Sequence, residues 1–171
     1  MPHTLVLGLG NILMRDEGIG VRAVELLAER YEFPPEVQLL DGGTLGLNLL
    51  PYVEDADRLL VIDAVHVGGE PGTVVRLESE EVPAFLGVKI SPHQIGLADL
   101  LAAARLRGRC PRELVLVGVQ PGVIDVGLEL SPQVAAKVAA LVEAALSQLS
   151  QWGIEWTMKL LPEKEGDDRW K

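Results

Sequence analysis

The chain has 171 residues, 48% of them hydrophobic and 23% charged, which is enough to bury one substantial core and too short for two ordinary domains. Asp and Glu outnumber Lys and Arg by 25 to 15, and no block of five or six basic residues occurs, so nucleic acid and anionic membrane surfaces are excluded as partners. A single cysteine, Cys110, rules out an intrachain disulfide.

Thr4 to Leu9 is predicted as a short buried strand, a continuous apolar run bounded by Gly8 and Gly10. The opening MPHTLVLGLGN has no basic segment ahead of that run, so neither a signal peptide nor a membrane span is expected, and a cytoplasmic location is. A helix is predicted over about Gly18 to Tyr31, where Val21, Val24, Leu27 and Ala28 form one apolar stripe. Pro34 and Pro35 end it. Val37 to Leu40 is a second strand closing on Asp41, and Gly42-Gly43-Thr44 leads into a short helix from about Gly46 to Glu54.

Arg58 to Ala64 carries LLVIDA, an apolar run typical of a parallel strand covered on both faces. Gly72 to Leu77 suits an edge strand. Ser91-Pro92 opens a helix through about Arg107, with Leu97, Leu100, Leu101 and Ala104 facing inward, and Glu113 to Gln120 is the last core strand. Ser131-Pro132 starts the final helix, Ser as N-cap and Pro in the first turn. Trp152, Trp156 and Trp170 follow in a tail that becomes heavily charged from Pro162. One domain over residues 1–151 is expected, then a tail over 152–171 that is partly frayed, with Trp152 and Trp156 able to pack back. Strand and helix alternate throughout. This pattern predicts an α/β fold, a three-layer sandwich with a twisted, mostly parallel sheet and helices on both faces.

In such sheets the site forms beyond the carboxyl ends of the strands. Three exits here are acidic: Asp16-Glu17 after the first strand, Asp41 after the second and Asp63 on the third. His93, at the head of a later helix, is expected to face the same edge. Taken singly, Asp16 or Glu17 can cap a helix or complement its dipole, Asp41 can be a turn residue, and His93 an ordinary first-turn residue. Asp63 resists such a reading, since an ionised carboxylate close to a buried strand needs a partner. Together Glu17, Asp63 and His93 make a mixed oxygen and nitrogen set that suits a borderline divalent ion such as nickel or zinc, without selecting one. Dinucleotide binding competes through Gly8-Leu9-Gly10, but Leu13 stands where the third glycine belongs. Two carboxylates near the helix start would also repel a pyrophosphate.

LVLGLGNILMRDEGIGVRAVELL closely resembles the N-terminal motif of the hydrogenase maturation peptidases, endopeptidases that trim the C-terminus of the large subunit of nickel-iron hydrogenases. The resemblance continues through DGGTLGLNLL, LLVIDAV, SPHQIGLADLL and VGVQP, up to about residue 150. It implies an α/β sandwich and an aspartyl-type endopeptidase in which Glu17, Asp63 and His93 contact metal and carry the reaction. It also implies that the metal is nickel already inserted in the large-subunit precursor, with no permanent cofactor, and that nickel-free precursor is ignored. The chain offers no Ser-His-Asp spacing and no H-E-x-x-H. The metal could polarise the scissile carbonyl or activate water, with one carboxylate as general base. Asp41, Gly42 and Gly43 are candidates for positioning the substrate tail, with Asp16 in a supporting role. Two readings from other classes compete: a noncatalytic nickel-binding maturation chaperone using the same trio, and a nucleotide-binding α/β enzyme.

Overall fold

A computed structural model describes residues 1–82 and 95–160. Strand β1 (Thr4–Leu9) is buried at every position, as a continuous apolar run requires of a strand covered on both faces. It lies between β3 (Val37–Gly43) and β4 (Arg58–Ala64), parallel to both. β6 (Glu113–Val119) joins the far side of β4 in parallel, and β5 (Val74–Glu78) closes that edge antiparallel. Among the described residues the sheet order is β3-β1-β4-β6-β5, so the turn-flanked stretch predicted at the edge is there.

Alternation along the strands builds two cores, one per face. Val6, Leu60, Ile62 and Val117 face α1 (Ile19–Arg30) and α5 (Val138–Gln151), which contribute Val24, Leu27, Leu141 and Leu149. Leu5, Leu7, Leu59, Val61 and Leu116 face α2 (Leu50–Asp55) and α3 (Ile95–Leu106), which contribute Val53, Leu97, Leu100 and Leu101. This is the predicted three-layer sandwich. The glycines near the N-terminus let α1 sit close on the sheet. A Cβ on Gly20 would lie 2.1 Å from the Ile62 carbonyl oxygen, and one on Gly8 would lie 2.5 Å from that of Gly20. These two positions therefore serve helix-to-strand packing.

The structure departs from the sequence prediction in three places. β3 continues through Asp41 to Gly43. The helix expected from Ser131-Pro132 is two helices, α4 (Pro132–Ala135) and α5. Between them an i→i+3 bond, from the Lys137 N–H to the Val134 carbonyl at 2.9 Å, tightens the turn.

The third departure is the stretch after residue 151, where partial fraying was expected with Trp152 and Trp156 able to pack back: both tryptophans do pack on the core, and all of residues 152–160 belong to the fold. Ile154 is buried, and β7 (Thr157–Met158) pairs antiparallel with β2 (Tyr31–Glu32). Trp156 meets Tyr31 edge to face at 5.3 Å, and Lys159 Nζ donates to the Ala28 carbonyl at 2.8 Å, near the carboxyl end of α1. The reason is a strand pairing across more than a hundred residues, invisible to a local reading of charge and tryptophan. The charged segment with Trp170 lies outside the described residues. No helix among those described is long and apolar enough to cross a membrane.

Candidate active site

The chain leaves β1 through Gly10, whose φ of 120° is tolerated by glycine and strained for other residues. A Cβ there would lie 1.8 Å from the Glu17 carbonyl oxygen and 3.6 Å from Asp63 Oδ1. Gly10 is thus the point where the first and third strand exits meet. Its N–H donates to the Gly43 carbonyl at 3.0 Å, which ties in the second exit. Arg15 then adopts φ 53°, an uncommon conformation for a residue with a side chain. It is held by its N–H on the Gly127 carbonyl at 3.1 Å and its Nε on the Glu129 carbonyl at 2.9 Å. That turn delivers Asp16 and Glu17 inward on a single 3-10 turn (Arg15–Gly18), where both are buried.

The two adjacent acids have opposite fates. Asp16 Oδ2 accepts from the Gly122 N–H at 2.8 Å, the Val123 N–H at 2.7 Å and the Ser131 hydroxyl at 2.7 Å, while Oδ1 accepts from the Ser131 N–H at 2.7 Å. Asp16, expected in a supporting role toward substrate, is therefore committed to the chain itself. Ser131, expected to cap its own helix with its side chain, gives that hydroxyl to Asp16 instead. Glu17 is only 8% exposed, yet its Oε2 has no hydrogen-bond partner among the described residues. The other buried side-chain oxygen in that condition, Thr4 Oγ1, belongs to a neutral hydroxyl and costs far less than a bare carboxylate. A buried carboxyl group in this state needs a partner that the described residues do not supply.

Asp63, one residue from the end of β4, is half-buried and accepts the Ala64 N–H at 2.8 Å. Burial pushes its pKa from 3.8 up to about 8; the Ala64 N–H draws it down, and the nearby negative charge of Glu17 raises it further. Close to neutral pH this carboxyl therefore keeps its proton unless positive charge arrives beside it. His93 lies outside the described residues. Among those described, no group of three His, Cys, Asp or Glu side chains is gathered to hold a metal ion.

The remaining candidates divide. Asp41 is exposed at the end of β3. Gly43, at φ 46°, needs its missing side chain for the turn. Gly42 is buried, and a Cβ on it would press on Leu7 Cδ1 at 2.7 Å, so packing requires a glycine there. The loop from Gly122 to Ser131, which the sequence reading passed over, is the partner of Asp16. Its signal was a run of glycines and exposed apolar residues, Gly-Val-Ile-Asp-Val-Gly-Leu, between a strand and a Ser-Pro helix start.

A family model described as hydrogenase maturation protease matches residues 21–148. The hydrogenase expression/formation protein HupD of Rhodobacter capsulatus is 49% identical over 157 residues, 91% of this chain and 75% of that one. The hydrogenase 2 maturation protease of Escherichia coli strain K12 is 48% identical over 152 residues, 88% and 93% of the two chains. The structure of the hydrogenase maturating endopeptidase HybD from E. coli superposes with a TM-score of 0.88 at 46% identity, over 92% of this chain and 98% of that one.

Proposed function

Because the chain belongs to the hydrogenase maturation protease family and is a peptidase, we propose that it removes the C-terminal extension of a nickel-iron hydrogenase large-subunit precursor after nickel insertion. Glu17, Asp63 and His93 meet the nickel that the precursor carries, so the metal arrives as part of the substrate. A cytoplasmic location goes with this reading. The observation that carries it is the state of the two carboxylates. Glu17 is buried with an oxygen that has no partner among the described residues, and Asp63 beside it has its pKa raised to about 8. A divalent cation answers both needs at once, supplying charge to Glu17 and displacing the proton of Asp63. Next to such a cation, the scissile carbonyl is polarised or a water is activated, and one carboxylate of the pair acts as general base. Asp41 and the Gly42-Gly43 turn at the same edge are suited to steer the substrate tail.

The test is to incubate the purified protein with nickel-loaded and with nickel-free large-subunit precursor and to weigh the products by mass spectrometry. Loss of the C-terminal extension from the loaded form alone is expected. Loaded precursor that binds yet stays at full length would sink the peptidase reading and favour a nickel-binding chaperone.

A further inference from the structure

The segment from Gly122 to Glu129 carries three exposed apolar side chains, Ile124, Val126 and Leu128, the latter two 82% and 60% exposed. Leu13, 58% exposed, stands opposite them, because its carbonyl accepts the Gly127 N–H at 2.9 Å. Loops that display such residues to water are ordinarily left free to move. This one is tied down along its length. Beyond the four hydrogen bonds to Asp16, the Asp16 N–H reaches the Val123 carbonyl at 3.1 Å and Arg22 Nη2 reaches the Leu128 carbonyl at 3.2 Å. The two Arg15 bonds to Gly127 and Glu129 complete the attachment.

The attachment and the acid site are one piece of chain. Leu13 precedes Arg15, Asp16 holds the loop, and Glu17 follows immediately. We infer that Leu13, Ile124, Val126 and Leu128 form a pre-ordered docking surface for an apolar patch on the folded large-subunit precursor, beside the point where its tail enters the site; this rests on the function proposed above. Two physical facts support that occupant. Exposed apolar side chains fixed in place lower the ordering cost of association, a benefit realised only when a partner covers them. A protein large enough to deliver a metal-bearing tail to Glu17 and Asp63 must also lie over the rim next to them, whereas a short free peptide need not.

The experiment compares wild type with the double variant Val126→Asp/Leu128→Asp, using nickel-loaded precursor and measuring both Kd and the rate of cleavage at saturation. Both side chains are exposed, so the melting temperature should not change. Kd is expected to rise about tenfold or more, with the saturated rate retained. Val126→Met/Leu128→Met, which keeps apolar character, should bind as wild type does. If wild type cleaves and the aspartate variant binds with unchanged Kd, the docking surface is wrong and the peptidase reading stands. If wild type binds without cleaving and the variant loses binding, the peptidase reading fails and the surface stands. A wild-type dimer that the aspartate variant dissolves, with precursor Kd unchanged, would assign the patch to a second copy of the chain and overturn the inference.

Discussion

At the amino end of the sheet, irregular chain is closed on itself. Trp156 Nε1 donates to Ser150 Oγ at 3.1 Å, Arg58 Nη1 donates to the Trp152 carbonyl at 3.0 Å and lies over the Trp152 ring, and Lys159 reaches Ala28 near the end of α1. At the carboxyl end the hydrogen bonds are as dense, with four on Asp16 alone. There, however, they hold groups that the described residues leave unsatisfied: a bare oxygen of Glu17, a carboxyl on Asp63 that resists ionisation, and apolar side chains in water. Rigidity is common to both ends, so it does not mark the site. What marks the site is unmet need on carboxyl groups, since the amino end also carries an unpartnered Thr4 hydroxyl and an exposed Met158 but, among the described residues, no buried carboxyl oxygen in that condition.

Substitutions at the two ends should separate these roles, and the largest effect belongs to the unsatisfied pair. Glu17→Gln and Asp63→Asn are each expected to slow precursor cleavage by about 10²–10⁴-fold, with circular dichroism and melting temperature not lowered. Wild-type cleavage by both variants would refute the site. Next comes the clamp. Asp16→Ala strands four donors around a buried position and should cost about 3–5 kcal/mol in urea unfolding, with cleavage falling as the loop loosens. A cost below about 1 kcal/mol would show that the clamp is dispensable.

The third effect depends on pH. The folded pKa of Asp63, about 8, lies above its ordinary 3.8, so between those values the native state holds a proton that the unfolded chain has released. Stability should therefore fall as pH rises through this window, with no penalty below it, where both states are protonated, and the full penalty above it. Asp63→Asn removes the dependence. Its melting temperature should equal that of wild type near pH 3.5 and exceed it progressively up to about pH 8, and a constant difference across that range would contradict the assignment. Smallest is the amino-end clasp. Trp156→Ala should cost about 1–2 kcal/mol, because the ring is only half-buried, and should leave kcat/KM for the precursor unchanged. Impaired cleavage at undiminished stability would mean that the two ends are coupled.

Much of this was legible in local patterns. The apolar runs of β1 and β4, the edge strand and the stripe of α1 follow from spacing that repeats within a few residues, and so did the acidic exits at Glu17, Asp41 and Asp63. The split between α4 and α5 was not legible, because it depends on one tightened turn beside a serine committed elsewhere. Nor was the docking of residues 152–160, whose pairing partner is Tyr31–Glu32.

The sharpest limit is the pair Asp16-Glu17. As letters they are two acids on one turn, equally fit to cap a helix, and the sequence by itself determined only that acid sits at this strand exit. Tertiary structure decided which acid serves the fold and which is left bare. The crossovers of the sheet bring residues 122–131 back across more than a hundred positions and place their N–H donors around Asp16. One residue further along the same turn, Glu17 receives none on Oε2 from the described residues, because donors fixed by distant backbone can surround one side chain on a tight turn and miss its neighbour.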